Sequence, residues 1–255
     1  MSFSGQPARI QWPPLTSGLK LLLIVYGALF VATLFKGSLG FEDFLRQKLY
    51  LSWEGMFGHL YLWQPLTHQL LHGDFFHLLF NSLVLYSFGG EVERRWGAWP
   101  FVRFVILCGL GGAAGVLIGD LLSIAALGGP GGPTVGASGG IYGVVAAFCL
   151  MNWDRPMSLM FIPGQFKARW LLAAFIGLDL FLLALSFASP STDANISFSG
   201  HMGGLAAGML IVTGYYKPQR LLDRLRLWRA RRRLRLMRGG HPLDQSRDKR
   251  GPTLH

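Results

Sequence analysis

Ser138 stands in a run of small residues, Gly136-Ala137-Ser138-Gly139-Gly140-Ile141-Tyr142-Gly143, and His201 stands in another, Ser199-Gly200-His201-Met202-Gly203-Gly204. A serine hydroxyl is a weak nucleophile until a base takes its proton, and histidine is the side chain most often suited to that task. Attack on a carbonyl also needs donors for the developing oxyanion. The Ser138 N–H, at a helix start, has no intrahelical partner and can serve as one. His77 and Asn81, both inside apolar sequence, are additional candidate donors. The chemistry that these types fit is acyl transfer, with Ser138 as nucleophile and His201 as general base.

Each residue also has a plainer reading. A serine at a helix start is more often a cap, and a histidine in apolar sequence is more often hydrogen-bonded structure. Spacing argues for the chemical reading. His77 and Asn81 are four apart, hence on one helical face, with His72 a turn further out. His201, Gly204 and Gly208 form one stripe at i, i+3 and i+7, and the two glycines admit a neighbouring backbone. Gly139 and Gly143, on the helix that begins at Ser138, are the matching small residues. Packing one stripe on the other brings Ser138 beside His201, with Tyr142 one turn below to support the imidazole. No Asp or Glu stands ready to orient His201, so a dyad is expected rather than a triad. Asp179, alone in another apolar run, has no assigned role.

Other chemistries fit poorly. His68-Gln69-Leu70-Leu71-His72 imitates a zinc protease motif, but Gln69 replaces the glutamate base. Cys108 and Cys149 both lie in apolar runs and read as small buried hydrophobes. The loop around Gly128–Gly132 lacks the Lys and Ser/Thr of a phosphate loop. A Gly-x-Ser-x-Gly turn also marks the nucleophile elbow of soluble α/β hydrolases, but no strand precedes this one. Neither a metal nor a cofactor is expected.

The elements that position these residues follow from composition. The 255 residues are 51% hydrophobic and only 15% charged, with 34 glycines. Soluble domains carry about 25% charged residues, so the deficit points to a membrane protein. The net charge is +11, and residues 217–255, with thirteen Lys/Arg against three Asp, hold +10 of it. The basicity belongs to a tail. The cytoplasmic membrane face, with its anionic headgroups, explains it with fewer assumptions than nucleic acid, which is not expected as a partner. The tail is either an amphipathic helix on lipid or a solvated basic segment.

Along the chain, residues 1–17 read as a short polar segment, with Thr16 and Ser17 able to cap the first helix. Six apolar spans are expected, approximately at Leu19–Phe35, His72–Phe88, Phe101–Gly119, Ser138–Met151, Trp170–Phe187 and Gly200–Tyr216. The first is read as a retained helix rather than a cleaved signal. Lys36 to Leu71 mixes charges with aromatics and reads as an interfacial, partly inserted loop. Residues 120–135, 152–169 and 188–199 read as loops. The fourth span has about fourteen residues, roughly 21 Å of helix, short of a hydrocarbon core of about 30 Å. Its glycine-rich end therefore stops inside the bilayer. Six spans place both termini on one side, together with Arg94-Arg95 and Arg155/Lys167/Arg169, and the positive-inside rule makes that side cytoplasmic. Ser138 and His201 then lie near the outer ends of their helices. The domain boundaries are residues 18–216 for the membrane bundle and 217–255 for the tail.

Together these residues resemble the rhomboid family of intramembrane serine proteases. The resemblance runs from about Trp63 to Gly208. It rests on His68-x3-His72-x4-His77-x3-Asn81, Glu93-Arg94-Arg95-Trp96-Gly97, Gly136-Ala137-Ser138-Gly139 and Gly200-His201-x2-Gly204-x3-Gly208. It implies an all-α six-helix membrane bundle with an interfacial loop between helices 1 and 2. It implies Ser138 as nucleophile, His201 as base, and His77, Asn81 and the Ser138 amide as the oxyanion site. His72 becomes structural or water-retaining. The implied substrate is a transmembrane segment of another protein, entering past the fifth helix and cut near the outer face. A bacterial inner membrane is the default location. Two departures stand out: Gln64 follows Trp63 where many bacterial members have Arg, and Gly200 precedes the histidine where Ala is frequent. A different class of reading is a catalytically silent relative that binds or escorts membrane helices. Such relatives usually lack the serine or the histidine, and this chain has both. A small-solute transporter fits least, because the two halves show no repeated motifs.

Overall fold

The computed structural model describes residues 14–34, 41–159, 162–188 and 198–214. The readings of residues 1–13, of most of the loop before Phe198 and of the basic tail lie outside them. The chain divides into two compact units, Met1–Val212 and Thr213–His255, and the candidate site lies in the first.

The described residues are mostly helical. The elements run α1 (Ser17–Leu34), α2 (Phe41–Lys48), α3 (Gln64–Thr67), α4 (Phe75–Trp96), α5 (Ala98–Leu127), α6 (Ser138–Met151), β1 (Pro156–Leu159), β2 (Ile162–Lys167), α7 (Ala168–Ala188) and α8 (Phe198–Thr213). Among the described residues two helices, at Ser17–Leu34 and Ala98–Ala125, are long and apolar enough to cross a membrane, and two shorter apolar ones are Ser138–Met151 and Phe198–Thr213.

The distribution of side chains is inverted relative to a water-soluble domain. Every residue from Gly139 to Cys149 of α6 is buried. Large apolar groups on the other helices face outward, among them Ile24, Phe76, Phe80, Leu107, Leu178 and Phe181. Polar groups (Asn81, His72, Asp179) lie inside. An exposed apolar belt around a partly polar interior is stable against lipid and costly against water. Helix association in such a setting depends on close packing rather than on the expulsion of water.

That packing is carried by small residues. A Cβ at Gly204 of α8 would fall 2.0 Å from the Gly139 carbonyl oxygen of α6, and one at Gly208 would fall 2.7 Å from Gly143 Cα. On α5, Gly111 and Gly115 meet Gly203 and Ser199 of α8 in the same way, and Gly112 lies between Gly139 and Gly200. Helices α5, α6 and α8 thus meet backbone to backbone.

Several boundaries differ from the sequence reading, each for a local reason. Asp74, not His72, begins the helix of the second span: its carboxylate accepts from the His77 N–H at 2.9 Å and so caps α4. His72 lies in the loop before it. Helix α5 continues past Asp120 and ends where Gly128 adopts φ 82° as a left-handed cap. The loop after α6 contains an antiparallel hairpin pairing Pro156 with Lys167 and Met157 with Phe166, so the fold is not purely helical. Thr16 and Ser17 do not cap α1 themselves. Their hydroxyls donate to Glu93 of α4, whose carboxylate also accepts the Gly18 and Leu19 N–H groups at 2.7 Å each. An anion at a helix N-terminus is favoured by the unpaired N–H groups and the dipole.

The segment between α1 and α4 is held by side-chain bonds to its own backbone. Gln64 is fully buried; its amide donates to the Gln47 carbonyl at 3.1 Å and its carbonyl accepts from Ser52 N–H at 3.2 Å. Trp63 Nε1 donates to Lys48 O at 2.7 Å and Thr67 Oγ1 to Leu49 O at 2.9 Å. Leu51 pairs with Thr134, which ties this segment to the loop leading to Ser138. The bonding of this loop, put in question by Gln64 in the place of Arg, is therefore supplied by the glutamine amide.

Candidate active site

Ser138 is the first residue of α6 and is half-buried. The turn before it is shaped by Gly136, whose φ of 132° lies where other residues are strained. Gly136 N–H donates to the His68 carbonyl at 2.9 Å. The first helical bond of α6 runs from Ile141 N–H to Ala137 O at 3.1 Å, so the Ser138 amide precedes the ladder and stays available.

Helix α4, which carries both His77 and Asn81, brings His77 to this turn. A Cβ at Gly136 would fall 2.6 Å from His77 Nε2, so the imidazole lies directly against the serine's loop. Asn81, one turn deeper, is buried, and its Nδ2 has no hydrogen-bond partner. A buried, unpartnered amide costs stability, and such groups are expected where a ligand completes them. His72 is 1% exposed with both ring nitrogens unpartnered, edge-on to His77 at 5.2 Å and to Tyr26 at 5.4 Å. His68 is different: its Nδ1 pairs with the Gln64 carbonyl at 3.0 Å. Burial pulls its ring down to about 4, against backbone hydrogen bonds to Gln64 and Pro65 that raise it, so it is neutral at physiological pH. Among the described residues no three His, Cys, Asp or Glu side chains converge on a metal position.

From the other side α8 supplies His201. Its ring stacks on Tyr142 of α6 with centroids 4.2 Å apart and planes 13° from parallel. Tyr142 is one turn from Ser138, so the stack holds the imidazole over the start of α6. The contacts of Gly204 with Gly139 fix the backbones on the same side. No direct hydrogen bond between Ser138 and His201 is among those formed. Catalytic hydrogen bonds are often long before substrate arrives.

One member of the cluster was missed by sequence reasoning. His201 Nδ1 lies 3.1 Å from both oxygens of Asp179, on α7. Tyr142 donates its hydroxyl to the same carboxylate at 2.8 Å. The expectation that no acid stands near His201 is therefore corrected: Asp179 lies beside its ring and is 2% exposed. The available signal was an acid inside an apolar run, which by default marks function. What linked it to His201 was invisible, because the two lie 22 positions apart on different helices.

The rhomboid domain family matches residues 59–218, which include every residue of this cluster. The Bacillus subtilis (strain 168) protein YdcA is 28% identical over 149 residues, 58% of this chain and 65% of its own. The rhomboid protease GluP of the same organism is 29% identical over 158 residues, 62% of this chain and 27% of its own. The rhomboid protease GlpG of Yersinia pestis (strain Pestoides F) is 25% identical over 209 residues, 81% of this chain and 64% of its own. The chain thus spans less than two thirds of the length of these relatives.

Proposed function

The chain belongs to the rhomboid family, and on that footing we propose that it is an intramembrane serine endopeptidase that cuts transmembrane segments of other proteins near the outer face. The observation that carries this reading is the Tyr142–His201 stack, one helical turn from Ser138. His201 is then the base for Ser138, and the buried, unpartnered Asn81 amide is the oxyanion donor that this reading assigns.

These residue types fit acyl transfer through a serine ester. Ser138 Oγ bonds to the scissile carbonyl carbon as His201 Nε2 takes the hydroxyl proton. The carbonyl π pair moves to oxygen, and the Ser138 N–H, Asn81 Nδ2 and His77 receive that charge. The C–N bond then breaks, and the leaving amine takes the proton from His201. Water attacks the acyl ester, giving its proton to His201, and Ser138 leaves with that proton. His72, with its unpartnered nitrogens beside His77, fits a role in holding water near the site. No step calls for a metal or cofactor.

The reading extends to the whole chain: a six-span bundle over residues 18–216 in a bacterial inner membrane, with both termini and the basic tail on the cytoplasmic side. The tail meets anionic lipid. The contact of α1's N-terminus with the C-terminal end of α4 at Glu93 supports the alternation of helix directions that this topology needs.

The test is cleavage of a helical membrane substrate by purified protein in liposomes, with Ser138→Ala and His201→Ala in parallel. Loss of either partner is expected to cost on the order of 10⁶ in rate. Undiminished cleavage by Ser138→Ala would refute the assignment. Intact folding with no cleavage and no labelling of Ser138 by a serine-directed probe would favour a helix-binding, noncatalytic protein.

A further inference from the structure

A carboxylate inside an apolar helix is costly and needs partners. Asp179 finds two, and both belong to the catalytic cluster: His201 on α8 and Tyr142 on α6. An ionised carboxylate only accepts, so the Nδ1 that faces it carries the hydrogen. The neutral ring is then fixed in the tautomer whose lone pair is on Nε2, the nitrogen a serine base needs. The Tyr142 hydroxyl holds the carboxylate in place while its ring lies flat on the imidazole. Phe175, one turn earlier on α7, packs edge-on against Tyr142 at 5.4 Å and backs the arrangement.

We propose that Asp179 is a positioning residue for the Ser138–His201 pair, so that the site works as a carboxylate-anchored unit spread over α6, α7 and α8. This rests on the serine-protease reading above. When Nε2 takes the Ser138 proton, the ring becomes an imidazolium 3.1 Å from the carboxylate. The second proton stays on Nδ1, which faces the Asp179 carboxylate. The same carboxylate ties the three helices together, so the geometry of the base depends on α7 being docked.

The experiment compares wild type, Asp179→Asn, Asp179→Glu, Tyr142→Phe and Ser138→Ala in liposomes, with melting temperature recorded for each. Loss of the charge and of tautomer control is expected to lower kcat about 10²–10⁴-fold in Asp179→Asn, with KM within about twofold. Asp179→Glu recovers part of that loss because it restores the charge. Tyr142→Phe keeps the ring stack and loses only the donor to Asp179, and its kcat falls about tenfold. A purely structural role for Asp179 would instead lower the melting temperature and the fraction of active enzyme while leaving kcat per labelled serine unchanged. That result, or a folded Asp179→Asn within threefold of wild-type kcat while Ser138→Ala is dead, overturns the inference and leaves the protease reading standing. If Asp179→Asn does not fold, Tyr142→Phe decides: unchanged kcat overturns the inference, and a fall in kcat at constant KM supports it. Activity undiminished in Ser138→Ala removes the protease reading itself.

Discussion

The imidazole of His77 occupies the space that a side chain at residue 136 would fill: a Cβ on Gly136 would stand 2.6 Å from its Cε1 and Nε2. The loop before the serine and the first turn of α4 are thus fitted to each other without slack. Gly136→Ala meets two obstacles, the clash and a φ of 132°. The strain is about 1–3 kcal/mol, and part of it is relieved by moving His77 or Ser138. We expect Gly136→Ala to fold, to melt a few degrees lower, and to lose at least tenfold in kcat/KM. A cleavage assay with unchanged kcat/KM would show that the loop tolerates displacement.

Asn81 carries a cost in the resting protein, because its buried Nδ2 has no partner. Replacing it removes that cost and, on the proposed mechanism, also removes a donor to the oxyanion. Asn81→Ala should therefore lower kcat about 10²–10³-fold, the range found for loss of one oxyanion donor. Its melting temperature should be unchanged or higher, since truncating an unsatisfied group relieves desolvation. A lower melting temperature with unchanged kcat would assign Asn81 to packing alone.

Gly204→Ala tests whether helix contact sets catalytic distance. Its Cβ would fall 2.0 Å from the Gly139 carbonyl oxygen, and that neighbour is backbone that cannot rotate away. Overpacking of this kind costs about 1–3 kcal/mol, and it pushes α8, with His201, away from Ser138. Activity should fall together with stability. Gly177→Ala on α7 is the control: a Cβ there meets nothing within 4 Å, so neither quantity should change. Equal behaviour of the two variants would mean that the close α6–α8 contact is not required.

Glu93 predicts the response to acid. It lies beyond the apolar stretch of α4, at the N-terminus of α1. Burial pushes its carboxyl up, but hydrogen bonds from Thr16, Gly18, Leu19 and Ser17 outweigh that and hold it below the usual glutamate range. A depressed carboxylate stabilises the fold above its unfolded pKa, and the contribution is lost as pH falls through the folded value. Thermal stability should therefore decline as pH drops below about 4.5. Glu93→Gln starts about 1–3 kcal/mol lower at neutral pH, because charged acceptors are lost to paired donors. Its further decline on acidification should be shallower. Parallel melting curves across pH would refute the assignment.

Much of the architecture is legible in the sequence because it depends on local composition. The apolar runs, the length of α6 and the small-residue stripe of His201, Gly204 and Gly208 all follow from residue type and helical period. The stop at Gly128 is a local signal, but the run of α5 past Asp120 is not. That acid suggests a loop, whereas its carboxylate accepts from the Gly131 N–H at 3.0 Å and so finds a partner in the turn. Asp74 illustrates the reverse: its cap signal is present in the sequence but is overshadowed by the more conspicuous His72.

By itself the sequence determined which residues could act as nucleophile, base and donor, and on which helical faces they lie. That follows because side-chain chemistry and a 3.6-residue period are properties of the local chain. Only the tertiary structure decided that Glu93 caps a helix 75 residues away, that Gln64 holds the loop after α2 together, and that Asp179 faces His201. Each of these is a single polar group finding a partner across a helix interface or a loop. Burial makes such partners obligatory, but no spacing along the chain says which ones will meet.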